Sequence, residues 1–446
     1  MKSYIIKNTT IVNEGKRVHG DVFIKHGRIE KIGNQINSAE NVLEINGENQ
    51  FLIPGAIDDQ VHFREPGLTH KANIYTEAKA AVAGGVTSFM EMPNTNPPVF
   101  TQELLEAKYA IGAETALANY SFFMGTSQDN VEEVLKTNKK KNDVCGVKIF
   151  MGSSTGNLLV DNPIVLEDIF SKSELLIATH CEEEAIIKKN KAALEAIKTH
   201  LEPSDHPVIR NEEACFESSW KAIQLAQKFD ARLHILHIST AKELQLFSNL
   251  RPLKDKRITS EVCVHHLHFT SDNYAQLGNL IKCNPAIKAP ENKKALWEGL
   301  LDDRLDIIAT DHAPHTWEEK QEDYVHAHAG LPLVQHSVML MLKYVKDGKL
   351  SMEKMVEKMS HAVATCFQIK ERGFIREGYH ADLVLVAEKP YTIKKENILY
   401  KCGWSPLEGT QFPYQINSTF VSGHLAYHLG QFDESKKGTR LQFSRA

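Results

Sequence analysis

Between residues 53 and 311 the sequence alternates short apolar runs with longer segments of helical periodicity. This alternation is typical of βα units, in which parallel strands form a sheet and helices cover its faces. Eight apolar runs have the length and composition of buried strands, and they span residues 53–62, 86–92, 119–124, 144–150, 174–180, 232–238, 257–264 and 305–311. Eight successive βα units predict an α/β fold of the (β/α)8 type, the TIM barrel.

The two ends of the chain carry a different pattern. Residues 1–50 contain short strand-like runs with turn signals between them, and a similar β pattern returns after residue 372. The first segment is too short to fold well alone. We therefore predict one small β domain from residues 1–52 plus 373–446, beside a barrel of residues 53–372. Roughly the last 15 residues are polar, and we expect them to be frayed.

The composition is that of an ordinary globular protein and argues against several classes of function. A net charge of −5 without a long basic run gives no reason to expect binding to nucleic acid. No apolar stretch approaches the about 18 residues of a transmembrane helix, so no membrane association is expected. The seven cysteines lack Cys-x-x-Cys spacing, which favours reduced thiols in a cytoplasmic protein.

Five predicted strands end in, or close to, a side chain that can bind a metal ion: His62, Lys148, His180, His237 and Asp311. The carboxyl ends of parallel barrel strands meet at the face where barrel enzymes place their active sites. These five side chains are therefore predicted to share one site. Imidazole and carboxylate ligands suit Zn²⁺, and a catalytic zinc ion keeps a position for water, whose pKa it lowers to about 7.

Each of these residues has a structural alternative. A single buried histidine is more often a hydrogen-bonded core residue than a metal ligand. The lysine is harder to explain, because an ammonium group within an apolar strand needs a carboxylate partner, a lowered pKa or a chemical modification. Since groups with perturbed pKa values cluster at functional sites, five such residues at five strand ends favour an active site.

Residues 58–67, Asp-Asp-Gln-Val-His-Phe-Arg-Glu-Pro-Gly, resemble the Asp-x-His-x-His-x-Arg-x-Pro-Gly signature of dihydroorotases, in the cyclic-amidase branch of the amidohydrolase superfamily. Gln60 stands where the signature has its first histidine, and His62 is the second. The resemblance covers nearly the whole chain and implies a barrel with a β-sandwich built from both chain termini. Because an amide oxygen binds zinc more weakly than imidazole, Gln60 leaves open whether one or two metal ions are held.

The same resemblance implies a binuclear zinc site. Lys148 would be carbamylated, and its carbamate would bridge the two metal ions. His180 and His237 would hold one ion. His62 and Asp311 would help to hold the other, which we predict to be weakly bound or absent, and Asp311 would also act as the general base.

Substrate recognition is predicted at four further residues. By resemblance, Arg64 and Asn94 bind a substrate carboxylate, Asn284 contacts the substrate ring, and His315 contacts the carboxylate or the ring. A guanidinium group suits this role because it can donate two parallel hydrogen bonds to a carboxylate. The alternative for Arg64 is a structural salt bridge.

Two other histidine groups are set apart from the predicted metal site. His326 and His328 lie in a segment without strand character, where we expect a mobile lid near the substrate. His265, His266 and His268 follow the seventh predicted strand, where we expect them to orient ligands or to serve the structure.

Three functions are consistent with the sequence. The first is a zinc-dependent dihydroorotase of pyrimidine biosynthesis, which interconverts N-carbamoyl-L-aspartate and L-dihydroorotate through attack of metal-bound hydroxide on the ring amide, with Asp311 moving the proton. The second is an allantoinase- or hydantoinase-like cyclic amidase, whose neutral substrates need no carboxylate-binding arginine. The third is a non-catalytic subunit that supports a partner such as aspartate transcarbamoylase. We also expect a homodimer.

Overall fold

The structure is a computed structural model that describes residues 2–37, 42–152 and 158–445. In chain order the strands are β1 Ser3–Asn13, β2 Lys16–Lys25, β3 Arg28–Gly33, β4 Val42–Asn46, β5 Gln50–Pro54, β6 Ala56–Val61, β7 Val86–Glu91, β8 Asn119–Phe122, β9 Met124–Gly125, β10 Val147–Phe150, β11 Ile177–His180, β12 Leu233–Ile235, β13 Ile258–Cys263, β14 Ile307–Ala309, β15 Leu383–Ala387, β16 Tyr391–Thr392, β17 Gln411–Phe412, β18 Gln415–Val421, β19 His424–His428 and β20 Gln431–Phe432.

The α-helices lie mainly between the parallel strands. They are α1 Ile74–Ala83, α2 Gln102–Thr115, α3 Val131–Lys136, α4 Pro163–Lys172, α5 Glu184–Glu195, α6 His206–Ile209, α7 Glu212–Phe229, α8 Val264–His268, α9 Tyr274–Leu277, α10 Pro290–Leu301, α11 Trp317–Gln321, α12 Ser337–Lys346, α13 Met352–Val356 and α14 Ala362–Phe367. Across the described ranges, every helix is too short or too polar to cross a membrane.

The parallel strands β6 to β14 follow one another in chain order. One sheet contains β6, β7 and β8, and a second contains β9 to β14, with only Phe123 between β8 and β9. The first parallel strand, β6, also meets the segment that follows the last one, β14. Val61 pairs in parallel with His312, and the His62 amide donates to the His312 carbonyl at 2.7 Å. The predicted α/β class with parallel strands is confirmed, and each of the eight predicted runs contains a parallel strand.

The first predicted run, residues 53–62, is wrong as a single strand. The chain leaves the terminal sheet at the end of β5 and enters the parallel sheet at β6, with Gly55 between them. A β-carbon at Gly55 would lie 2.1 Å from Thr87 Oγ1, so only glycine permits this close passage between the two sheets. The apolar run continues through the junction because both strands are buried.

Strands from both ends of the chain form a nine-stranded sheet. Its order is β20-β19-β18-β15-β5-β1-β2-β3, with β4 paired to β1. β15 runs antiparallel to β5, so that Leu385 lies opposite Leu52. The sheet has an apolar core of its own, which includes Tyr4, Ile24 and Phe420. The exact domain limits stay a prediction.

The expectation of a frayed C-terminus is wrong for the described residues. Leu441 and Phe443 are buried and pack in one apolar cluster with Phe123 and Phe367. The Arg445 guanidinium donates to four backbone carbonyls, those of Lys141, Val144, Cys145 and Phe367. The polar composition of this segment did not predict its order. Two alternating apolar side chains and one arginine are enough to hold it in place.

Candidate active site

A cavity of about 400 Å³ opens at the carboxyl ends of the parallel strands. All ten residues predicted from the sequence for the site line it: Gln60, His62, Arg64, Asn94, Lys148, His180, His237, Asn284, Asp311 and His315. Their assembly follows from the topology, because the carboxyl ends of parallel strands share one edge. The role of each residue stays a prediction.

Asp58 joins the first parallel strand to the segment that carries Asp311. Its carboxylate accepts hydrogen bonds from the Thr310 hydroxyl at 2.6 Å and from the Thr310 amide at 3.2 Å. Burial raises the pKa of Asp58 to about 7. This carboxylate therefore fixes the position of the next residue, Asp311, rather than facing the cavity itself.

His62 lies between Asn94 and Asp311. Its Nδ1 is 2.7 Å from Asn94 Oδ1, so Nδ1 carries the proton and donates to this amide oxygen. Its Nε2 is left with a lone pair and lies 3.1 Å from Asp311 Oδ1. Burial lowers the pKa of His62, which favours the neutral ring. A lone pair and a carboxylate oxygen at this separation match two ligands of one zinc ion, which are about 3.3 Å apart in a tetrahedron.

Gln60 is oriented by the same carboxylate. Its Nε2 donates to Asp311 Oδ1 at 3.2 Å, and its Oε1 lies 3.7 Å from Cys263 Sγ. The amide oxygen, which is the only metal-binding atom of a glutamine, thus faces Cys263 rather than the pair formed by His62 and Asp311.

Two histidines form a second pair of neighbouring ligand candidates in the cavity lining. His180 Nδ1 is 3.0 Å from His237 Nε2. Burial lowers the pKa of His180 and holds that of His237 well below its usual value, so both rings are in the neutral form that binds metals. On its other side, His180 Nε2 is 3.1 Å from a Glu182 oxygen, and Glu182 pairs with Arg210. The Glu182 carboxylate is thus close enough to attract this imidazole, although the geometry between the two is not that of a hydrogen bond.

Lys148 is 1% exposed and is close enough to His62, His180 and His237 to act on all three electrostatically. Burial lowers the pKa of its amine to about 7, and the Nζ lies 4.5 Å from the centre of the Phe150 ring. A substantial neutral fraction at neutral pH follows from this pKa. Of the three explanations for a buried lysine, the structure thus supports a lowered pKa, and a neutral amine is the form that reacts with carbon dioxide to give a carbamate.

Arg64 lies at the mouth of the cavity and is 4% exposed. Its Nε donates to the Pro314 carbonyl at 3.0 Å, and its Nη2 lies 3.0 Å from His315 Nε2. Among the described residues, no carboxylate oxygen lies within 4.0 Å of its guanidinium, so the alternative of a structural salt bridge is not supported. Burial lowers the pKa of Arg64 to about 10, and it stays charged at neutral pH.

Three of these residues adopt left-handed backbone conformations, which residues other than glycine rarely adopt. The φ angles are 69° at Arg64, 41° at His237 and 48° at Asp311. Non-glycine residues in this region cost free energy and are held there by surrounding contacts, most often at functional sites.

The structure adds residues that the sequence patterns missed. Arg210 lines the cavity, and His206 Nε2 lies 3.1 Å from Asn284 Oδ1 while its Nδ1 contacts the Tyr324 hydroxyl at 2.8 Å. These residues lie on α6 and on loops rather than at strand ends, and no motif marked them. His326 and His328 line the cavity mouth, where His328 stacks on His315 with ring centres 4.8 Å apart. The lid role stays a prediction.

Comparison with known proteins adds independent information. The sequence profile of the amidohydrolase family matches residues 51–426. A dihydroorotase from Pyrococcus abyssi (strain GE5 / Orsay) is 32% identical over 431 residues, covering 96% of each chain. An allantoinase from Deinococcus radiodurans is 29% identical over 447 residues, covering 97% of this chain and 96% of the relative.

Solved structures share the fold at lower identity. The L-hydantoinase (dihydropyrimidinase) from Arthrobacter aurescens has a TM-score of 0.91 and 23% identity, covering 97% of this chain and 98% of that chain. A dihydropyrimidinase from Brevibacillus agri has a TM-score of 0.89 and 23% identity over the full length of both chains. These likenesses imply a TIM barrel with an accompanying β domain.

Proposed function

The chain belongs to the amidohydrolase family, and from this premise we propose that it is a zinc-dependent dihydroorotase of pyrimidine biosynthesis, which interconverts N-carbamoyl-L-aspartate and L-dihydroorotate. The relatives support an enzyme that hydrolyses cyclic amides. The observation that favours dihydroorotate among such amides is the buried Arg64, a cation without a carboxylate of its own at the cavity mouth. Dihydroorotate carries the carboxylate that this guanidinium lacks.

The cavity fits the zinc that this function needs. His180 and His237 would hold one ion, His62 and Asp311 would hold a second, and a carbamate on Lys148 would bridge them. The fit is supported by two pairs of ligand atoms at 3.0 and 3.1 Å and by neutral imidazoles in both pairs. When bound, zinc supplies a Lewis acid that polarises the amide carbonyl and lowers the pKa of water.

The chain's own residues move the proton and hold the substrate. In the hydrolytic direction, a carboxylate oxygen of Asp311 accepts the proton of the attacking water and then donates it to the departing ring nitrogen. Arg64 and His315 bind the substrate carboxylate, and Asn284 contacts the ring. Asn94, which accepts from His62 Nδ1, also fixes the orientation of that imidazole.

The proposal is tested directly by turnover. We expect the zinc-loaded protein to cyclise N-carbamoyl-L-aspartate at mildly acidic pH and to hydrolyse L-dihydroorotate at alkaline pH, followed by absorbance of the ring amide. Hydantoin and allantoin are the comparison substrates, and their kcat/KM is expected to be far lower. A zinc-loaded, folded protein that turns over neither dihydroorotate nor carbamoyl-aspartate would refute the function.

The carbamate on Lys148 predicts a large effect of Lys148→Met. Methionine fills a similar buried volume without an amine, so we expect the fold to persist while zinc is lost and activity falls to the background rate. Zinc content by mass spectrometry and the melting temperature together measure this. Lys358→Met is a matched control, because Lys358 is also buried but bonds the Leu305 carbonyl away from the cavity. Full zinc content in Lys148→Met would exclude the bridging role.

Gln60→His is expected to strengthen the second zinc site by about 10-fold or more, since imidazole replaces an amide that faces away from the ion. Zinc retained after dialysis against a graded series of chelator concentrations measures this gain. Gln128→His, at a partly exposed residue outside the cavity, controls for adventitious binding by a new histidine. Equal retention by the wild-type protein and Gln60→His would show that Gln60 does not weaken the site.

The two other functions have less support. Because one relative is an allantoinase, a cyclic amidase for neutral rings stays the second candidate. Arg64 argues against this candidate. A non-catalytic subunit is disfavoured because His62, Lys148, His180, His237 and Asp311 all line one cavity. Association with aspartate transcarbamoylase and a homodimer stay predictions, which sedimentation of the protein with and without that partner would test.

A further inference from the structure

A second group of metal-binding side chains lies at the carboxyl end of β13, next to the predicted catalytic site. Cys263 is the last residue of β13, and His265 and His266 belong to α8, which follows at once. All three residues are at most 3% exposed. The Cys263 Sγ and one ring nitrogen of each histidine lie within 4.8 Å of one another, although nothing in the proposed reaction uses them.

The two imidazoles have unused ring nitrogens. His266 Nε2 lies 3.1 Å from the Pro285 carbonyl, so Nε2 carries the proton and Nδ1 keeps a lone pair. Within the described part of the chain, His266 Nδ1 is buried without a hydrogen-bond partner, and His265, which lies next to the Thr310 backbone, makes no hydrogen bond of normal geometry through either ring nitrogen. Buried polar atoms are normally hydrogen-bonded. A metal-binding histidine is usually held by a hydrogen bond from one ring nitrogen, while its other ring nitrogen binds the metal.

We propose that Cys263, His265 and His266 bind a zinc ion at a site separate from the predicted catalytic metals. One thiolate and two imidazoles are a common zinc donor set, and sulfur disfavours Mg²⁺, Ca²⁺ and Mn²⁺ at the same place. The Asp311 carboxylate lies close enough to act on the Cys263 thiol electrostatically, and its negative charge favours a nearby cation.

The two imidazoles are already in the metal-binding form, whereas the thiol must lose a proton. Burial lowers the pKa of His265 to about 4 and holds that of His266 well below its usual value, so both rings are neutral. Burial and the neighbouring carboxylates raise the pKa of the Cys263 thiol well above its usual value, so zinc binding must release this proton.

Gln60 lies beside this arrangement without belonging to it. Its Oε1 accepts a hydrogen bond from the Cys263 thiol over 3.7 Å, and its Nε2 donates to Asp311. The Gln60 amide therefore lies between the two sites.

Cobalt substitution tests the site, because the predicted catalytic ligands contain no sulfur. Full-length protein loaded with Co²⁺ is expected to show the near-ultraviolet charge-transfer absorption of a cobalt–thiolate bond, and Cys263→Ser is expected to abolish it and to lower the zinc content by one ion per chain. His266→Gln is expected to weaken cobalt retention at this site. Cys402→Ser, at a partly exposed cysteine outside the cluster, is expected to retain the band.

The wild-type spectrum decides the question even where a variant fails to fold. Absence of a thiolate band in the cobalt-loaded wild-type protein overturns the site, as does a band that persists in Cys263→Ser. The result does not depend on the substrate, since a protein that binds cobalt through Cys263 but leaves dihydroorotate unchanged would refute the proposed function and retain this site.

Discussion

Asp311→Asn is expected to lower kcat for dihydroorotate hydrolysis by about 10³-fold or more, within the range found for loss of general acid–base catalysis. Asparagine is nearly the same size but can neither accept the proton of water nor deliver one to the ring nitrogen. The neighbouring contacts also change, since Asp311 Oδ1 receives the Gln60 amide at 3.2 Å and lies 3.1 Å from His62 Nε2. KM should change little, because Arg64, Asn284 and His315 are untouched.

Steady-state kinetics with zinc content measured on the same samples separates the two roles of Asp311. A fall in kcat with one zinc ion still held by His180 and His237 identifies proton transfer, whereas loss of all zinc identifies a structural collapse of the site. Asp347→Asn is the matched control, because Asp347 is exposed and pairs only with Lys343 among the described residues. An Asp311→Asn protein within 10-fold of wild type would exclude Asp311 as the general base.

Arg64→Gln is expected to lower kcat/KM for dihydroorotate by about 100-fold or more, corresponding to about 3 kcal/mol for the loss of one partner of a buried charge pair. Glutamine can still donate to the Pro314 carbonyl, so the local backbone should hold its position. Dihydrouracil, the same ring without the carboxylate, serves as the comparison substrate. Its slow turnover should be equal in the two proteins, because it makes no use of the guanidinium.

The ratio of the two substrates is the decisive measurement. A collapse of the preference for dihydroorotate over dihydrouracil supports carboxylate binding by Arg64, and an unchanged ratio favours a cyclic amidase for neutral rings. Arg17→Gln, at a half-exposed arginine that pairs with Glu353 outside the cavity, controls for nonspecific loss of positive charge.

The strand ends were predictable because two regularities coincide in this fold. Buried parallel strands are continuous apolar runs, and their carboxyl ends share one edge, so His62, Lys148, His180 and His237 could be placed together from their positions alone. The boundary at Gly55 could not be predicted, since burial on both sides makes two strands of different sheets look like one.

Residues outside the strand ends were missed for a related reason. Arg210 and His206 reach the cavity from α6 and its flanking loops, whose position depends on tertiary packing rather than on local pattern. The direction of the Gln60 amide could not be predicted from the sequence either. It depends on the contacts with Asp311 and Cys263, which are 251 and 203 residues away in the sequence.

The nine-stranded sheet imposes an order on biosynthesis. β15 is translated more than 300 residues after its partner β5, since Leu52 pairs with Leu385. Until then, one edge of the nascent sheet is exposed, and such edges recruit other chains. The parallel strands can assemble during this interval, whereas the terminal sheet is completed only after β15 and β18 to β20 have been synthesised. Chaperone demand should therefore be greatest for β1 to β5 while β15 is still to be synthesised.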